Sequence, residues 1–339
     1  MATIHDVARE AGVSPTTVSR YLNNRIELPG ATSGRIDAAI QKLDYRPNLL
    51  AKRLSMGKSE AIGLVTPEIG NPFFAELAAA VEDEAERHGY AVFMTSTRGD
   101  RAREISALQR LEDRHVDGLI MLTNHPDEGG ALAALIGRHS NVVLLDEDIP
   151  GVDVPRIFVE NEKGAYLATR HLISRGHTRI GLIEGPRALL SVEERRTGFF
   201  RAMAEAGLDV NPDHVLSGTY TREFGQEAVK TLLGRPDLPT ALLACSDYLA
   251  VGVMQALKAA GLKLPQDMSL VGFDDMPFAE LVEPALTTVR QPIEVMGRLG
   301  FQVLHALLTK QDITPTTRLP VTLIERASVA PPRTRTLDI

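Results

Sequence analysis

The pattern of apolar and polar positions changes near residue 60. Beyond it, short apolar runs alternate with longer amphipathic stretches: AIGLVTP (61–67), YAVFMTS (90–96), GLIMLT (118–123), VVLLDE (142–147), RIGLIEG (179–185), TALLACS (240–246) and SLVGFDD (269–275). Each run predicts a strand, and each is followed by a helical pattern such as FFAELAAAVEDEAERHGY or YLAVGVMQALKAAGL, closed by Gly89 or Gly261. Strands that are apolar without a break are those covered on both faces. The alternation therefore predicts βαβ units, with helices on both sides of parallel sheets. A turn-rich passage at 149–155 resets the series, and a second series runs from about 156 to 284. LTTVRQP (286–292) and the helix after it read as a return to the first. The expectation is two similar lobes, joined by several crossings, with a cleft between them.

Before residue 60 the pattern predicts short helices only: TIHDVAREAG, TTVSRYLN, GRIDAAIQKLDYRP and NLLAKRLS. In EAGVSPTTVSRYLN, Gly12 stops one helix and Ser14 is a good N-cap for the next. Pro15 falls at the first helical position, where its fixed φ suits the helix and its missing N–H was not needed. Val18 and Leu22 face inward, leaving Thr16, Thr17, Ser19, Arg20 and Tyr21 outside or at the edges. Two helices joined by a short Gly-containing turn form a helix-turn-helix, whose second helix can lie in the DNA major groove.

Charge follows the same division. The net charge is −7 over 339 residues, yet residues 1–59 hold nine Lys/Arg against five Asp/Glu, leaving 28 against 39 in the remainder. A basic head on an acidic body points to an anionic partner for the head alone. No run reaches the roughly 18 unbroken apolar residues of a membrane span, and MATIHDVARE lacks the pattern of an export signal, so no membrane partner and a cytoplasmic address are expected. With Cys245 as the only cysteine, no intrachain disulfide forms, and its place after an apolar strand favours packing. His171 and His177 read as structural.

Nothing in the body reads as catalytic machinery. Phosphate-cradling, dinucleotide-binding, nucleophile-elbow and zinc-protease motifs are all missing, so neither enzyme activity nor a cofactor is expected. The informative positions are strand ends, because open parallel sheets bind ligands beyond the carboxyl ends of their strands. There stand Asn71, Phe73 and Phe74; Asp146 and Glu147; Ser246 and Asp247; Asp274 and Asp275. Gln291 lies in a crossing segment, Arg195 in ERRTGF, and Tyr220 after a further strand candidate. Aromatic rings with carboxylates, an arginine and amides suit a small polyol: rings stack on C–H faces while charged groups bond pairs of hydroxyls.

With ATIHDVAREAGVSPTTVSRYLN, YRPNLLAKRLS, IGLVTP, NPFF, RGHTRIGLIEG, RRTGF, VGFDD and LTTVRQP in this order, the whole chain resembles the lac and gal repressor family. The resemblance implies a small all-α helix-turn-helix domain plus an α/β two-lobed periplasmic-binding-protein-like domain with parallel sheets. It implies a homodimeric DNA-binding transcription regulator, a repressor of a near-palindromic operator in double-stranded DNA, with a small carbohydrate effector between the lobes. The expected boundaries are 1–47 for the DNA-binding domain, 48–58 for a hinge helix and linker, and 59–339 for effector binding and dimerisation. Lobe 1 would take 59–155 and 289–316, and lobe 2 156–288 and 317–335.

Carried over by position, Pro15, Thr16 and Arg20 would read base edges, Arg20 as the chief reader through guanine O6 and N7. Thr3, Ser14, Thr17, Ser19 and Asn23 have short polar groups suited to phosphate oxygens. Leu54 would wedge into a central base step of the minor groove, with Lys52 and Arg53 on backbone phosphates. The resemblance supports Phe73, Asp146, Arg195, Asp274 and Gln291 as effector contacts; Asn71, Phe74, Tyr220 and Ser246 join them from the strand ends. The chain departs from the family at NNRIELPGATSGRI, where an acid-rich run is more usual, at Ser246, where asparagine is frequent, and at Glu147, where arginine or an aromatic residue is common. The site points to a neutral monosaccharide or sugar alcohol rather than a sugar phosphate or acid. The rival is a periplasmic-type solute receptor, which would share the fold but lack the basic head.

Overall fold

The computed structural model describes residues 2–22, 26–45, 59–124, 127 and 129–333. It divides into two compact units, 1–59 and 60–339.

The first unit is helical: α1 (Ile4–Ala11), α2 (Pro15–Leu22) and α3 (Gly30–Lys42). Thr3 and Asp6 form a capping box at the start of α1, and Gly12 ends it at φ 67°, a left-handed conformation natural to glycine. Ser14 starts α2, its Oγ accepting the Thr17 N–H at 3.1 Å, so Pro15 begins this helix and does not break one. Val7, Ala8, Ala11, Val18, Ile36 and Ala39 form the core. Tyr21, expected outside or at an edge, packs partly against this core and donates its hydroxyl hydrogen to Asp37. In the atypical loop Leu28 also reaches the core, whereas Ile26 stays exposed and α3 starts after Pro29 without a side-chain cap.

The second unit contains two six-stranded sheets. The first holds β1 (Ala61–Thr66), β2 (Ala91–Ser96), β3 (Gly118–Met121), β4 (Val142–Leu145), β5 (Arg156–Val159) and β11 (Thr316–Leu319), in the order β11-β5-β4-β3-β1-β2. The second holds β6 (Ile180–Glu184), β7 (Val215–Ser217), β8 (Ala241–Ala244), β9 (Ser269–Asp274), β10 (Thr287–Arg290) and β12 (Thr322–Ile324), in the order β12-β10-β9-β8-β6-β7. Pairing is parallel except that β12 runs antiparallel to β10. β1, β3, β4, β8 and β9 are buried at every residue, as their unbroken apolar runs require.

Helices α4 (Pro72–Arg87), α5 (Arg101–Glu112), α6 (Ala131–Ile136) and α11 (Ile293–Leu308) pack with the first sheet. The second takes α7 (Asn161–Ser174), α8 (Leu190–Glu205), α9 (Arg222–Leu233) and α10 (Asp247–Ala259). The chain passes between the sheets after β5, after β10 and after β11.

Sheet membership corrects the expected lobe limits. Residues 156–159 pair with β4 and so belong to the first lobe, while 287–290 pair with β9 and belong to the second. Only the helix after LTTVRQP, α11, returns to lobe 1. Residues 316–319 pair with β5 in lobe 1. A strand is a local property; its sheet is chosen by long-range pairing that leaves no mark in a four-residue run.

Candidate effector site and DNA-reading surface

All nine residues expected at the effector line one cavity: Asn71, Phe73, Phe74, Asp146, Arg195, Tyr220, Ser246, Asp274 and Gln291, with Asn124, Glu147 and Ser191 beside them. Lobe 1 brings the start of α4 and the ends of β3 and β4. Lobe 2 brings the first turn of α8, the segment after β7, the start of α10 and the end of β9. Each is a strand's carboxyl end or the first turn of the helix that follows.

Helix starts fix several of these groups. Asn71 Oδ1 accepts the Phe73 N–H at 3.1 Å and Pro72 opens α4, which places Phe73 and Phe74 on the first turn with their rings edge to face at 5.2 Å. Ser246 Oγ accepts the Leu249 N–H at 3.1 Å to cap α10. Both residues therefore combine a capping role with a place on the cavity wall. Gly185 admits the Tyr220 ring, since a Cβ there would lie 2.4 Å from it.

Arg195 is the buried cation of the site. Its Nε donates to Asn161 Oδ1 at 2.8 Å, its Nη1 to the Cys245 carbonyl at 2.5 Å, and its guanidinium lies 3.8 Å above the Phe273 ring. Burial opposes its charge, but Tyr220, Asp274 and Asp146 outweigh that and raise its pKa. Asp274 accepts from Gln291 Nε2 at 2.7 Å. Burial, only partly offset by Arg195 and that bond, pushes Asp274 up to about 7. Burial and then the neighbouring Asp146 push Glu147 up to about 8. Burial likewise raises Asp146 and Tyr220. Asp247, behind the wall, accepts from Thr288 at 2.6 Å and from the Met276 N–H at 2.8 Å.

Three solvent-shielded polar atoms of the lining have no hydrogen-bond partner: Asp146 Oδ1, Tyr220 OH and Gln291 Oε1. Each forgoes roughly 1–3 kcal/mol of solvation that a ligand able to donate hydrogen bonds would restore. Two are pure acceptors, so the cavity asks for O–H or N–H groups. Ser191 and Asn124 were not among the expected residues. Asn124 lies just past an expected strand and was within reach of the strand-end argument; Ser191 follows Leu189, which makes no side-chain cap, so nothing local marked that helix start.

Other titratable groups have structural work. His177 is buried, Nδ1 on Thr240 Oγ1 at 2.9 Å and Nε2 on Ser269 Oγ at 3.0 Å and the Ala330 carbonyl at 2.8 Å; burial lowers its pKa. The Cys245 thiol is pushed up to about 12 by burial. Among the described residues there is no cluster suited to a metal ion, and no helix is long and apolar enough to cross a membrane.

In the helical unit Thr16 and Arg20, four residues apart on α2, are exposed, and Pro15, Thr17 and Ser19 are half-buried beside them. No ion pair among the described residues engages Arg20. Thr3 and Ser14 are exposed, each with its hydroxyl in a cap. Asn23, Lys52, Arg53 and Leu54 lie outside the described residues.

Residues 3–48 match the family of bacterial regulatory proteins, lacI family, and residues 59–327 match periplasmic binding proteins and the sugar binding domain of the LacI family. The chain belongs to the LacI family. Among its relatives, the HTH-type transcriptional repressor PurR of Haemophilus influenzae (strain PittEE) is 35% identical over 97% of this chain and 99% of its own. The HTH-type transcriptional regulator DegA of Bacillus subtilis (strain 168) is 36% identical over 87% and 88%. The lac repressor dimer bound to operator and an anti-inducer superposes with a TM-score of 0.84 at 28% identity, over 97% of this chain and 99% of that one. As a LacI-family member the chain is a DNA-binding transcription regulator with an effector domain, and not an enzyme. The solute-receptor alternative finds no support.

Proposed function

We propose that this chain is a cytoplasmic homodimeric repressor whose hold on a near-palindromic operator is set by a neutral monosaccharide or sugar alcohol in the cavity between its lobes. The observation that carries the effector reading is the set of unpartnered atoms, Asp146 Oδ1, Tyr220 OH and Gln291 Oε1, beside one guanidinium and two aromatic rings. Vicinal hydroxyls would satisfy the acceptors while C–H faces meet Phe73 and Phe74. A phosphate or acid would meet Asp146, Glu147 and Asp274 against a single Arg195. The solved relatives include a regulator CelR in complex with cellobiose, TM-score 0.74 at 30% identity over 97% of this chain and 100% of that one.

The same proposal gives base reading to Pro15, Thr16 and Arg20, phosphate contacts to Thr3, Ser14, Thr17, Ser19, Asn23, Lys52 and Arg53, and the minor-groove wedge to Leu54. Effector and operator must alter each other's affinity by one common factor. The deciding experiment is a thermal-shift screen of monosaccharides and polyols on the wild type and Asp274→Ala. A hit should raise the melting temperature of the wild type alone; an equal shift in both proteins would remove the cavity from the proposal. Gel-shift titration against genomic and random duplexes tests the other half: Arg20→Ala should lose discrimination by roughly 1–3 kcal/mol, and Leu54→Ala should weaken operator binding while leaving effector binding intact.

A further inference from the structure

Within the cavity lining one hydrogen-bonded pair spans the two lobes; outside it, Arg318 of β11 also pairs with Glu194 of α8 across them. Glu147 follows β4 in lobe 1, and Ser191 stands in the first turn of α8 in lobe 2. The Ser191 hydroxyl donates to Glu147 Oε1 while its backbone N–H donates to Oε2 at 3.2 Å. Both residues are buried. Neither lobe can make the contact alone, and parting the lobes would return the carboxyl group to water. We propose that Glu147 and Ser191 form a latch across the cleft, through which proton concentration sets how readily the two lobes close.

Closing the cleft takes the Glu147 carboxyl out of water and into a crowd of other acids. Asp146 lies beside it on the same strand end, Arg195 faces it from α8, and Tyr220 from the segment after β7. Glu194 on α8 and Asp274 at the end of β9 stand one step further, each acting on Asp146. The one cation among them, Arg195, is shared with Asp146 and Asp274. Burial first and Asp146 second raise Glu147 from its ordinary 4.5 to about 8, in spite of the two bonds from Ser191. In an open cleft the hydrated group would titrate near its ordinary value. Closure therefore takes up a proton between these limits: the closed form is favoured on the acid side and loses ground as pH rises toward 8, by at most about tenfold per unit.

The test needs no ligand, so its failure and that of the carbohydrate proposal are separate results. Spin labels are placed on the full-length protein at Ala102→Cys in lobe 1 and Glu223→Cys in lobe 2, both exposed positions, while native Cys245 is buried. Distance distributions are recorded by double electron–electron resonance from about pH 5.5 to 8.5. The short-to-long population ratio should fall by roughly fivefold or more over that range in the wild type. Glu147→Gln, close in shape and without the proton, should flatten the dependence, and Ser191→Ala should shift the population to the long distance at every pH. A wild-type distribution that ignores pH, or a slope that survives in Glu147→Gln, would overturn the proposal.

Discussion

The two lobes share a strand order, so β4 of the first and β9 of the second occupy equivalent places. Each ends in a pair of acids, Asp146–Glu147 and Asp274–Asp275. Asp146, Asp274 and Asp275 all have positive φ, at 66°, 118° and 60°. Such backbone costs a non-glycine residue roughly 1–3 kcal/mol and persists only where its surroundings hold it. The partners differ. In lobe 2, Asp274 is held by Gln291, and Asp275 pairs with Arg290 and Arg326, each at 2.6 Å. In lobe 1, Asp146 keeps an oxygen without a partner and Glu147 reaches into the other lobe. One acid pair is organised by its own lobe and the crossing segments; the other is completed from outside. The difference teaches that equal topology need not mean equal readiness: the acid pair of lobe 2 is bonded within its own surroundings, although Tyr220 OH and Gln291 Oε1 there still lack partners, whereas the acid pair of lobe 1 needs a ligand or the opposite lobe.

The largest test is pH. Asp274 and Glu147 are raised on folding to about 7 and about 8. Their contribution to stability is therefore complete below their unfolded values and is lost as pH rises through the folded ones. Relative to Glu147→Gln/Asp274→Asn, the wild type should lose up to about 6 kcal/mol between about pH 5 and 8; parallel profiles would show that neither acid titrates on folding. The second test is Arg195→Ala. It removes the cation that Asp146 and Asp274 share, and should cost about 3–5 kcal/mol in urea unfolding; a loss below about 1 kcal/mol would mean that this guanidinium does not organise the site. Next, Asp274→Ala strands the Gln291 amide and should cost up to about 3 kcal/mol of stability, whereas Asp146→Ala, with less to strand, should cost under about 1. Equal losses would erase the contrast between the lobes.

The smallest effects concern the helix starts. Asn71→Ala and Ser246→Ala should each cost about 1 kcal/mol in thermal unfolding. Similar losses would confine the asymmetry to the acid pairs, and a large inequality would extend it to the caps.

Local chemistry determined much that was legible in advance. Ser14 with Pro15 announced the start of α2 because cap and first-turn geometry involve only neighbouring residues. Six of the seven longer apolar runs announced buried strands because covering both faces leaves no polar alternation, whereas YAVFMTS became the edge strand β2, which leaves Phe93 and Met94 exposed. Once those strands were taken as parallel, their carboxyl ends pointed to Asn71, Asp146, Ser246 and Asp274. A short strand escaped: β12 has three residues, too few for a period to show.

The tertiary structure alone decided which sheet received 156–159 and 287–290, and that Ser191 would meet Glu147 across the cleft. It also decided which carboxylates would have partners. Such pairings join residues 44 positions apart in the case of Glu147 and Ser191, and no nearest-neighbour preference encodes them. They exist only once packing of both lobes has removed water from between them, which is why the residue types of the site could be collected from the sequence while its electrostatics could not.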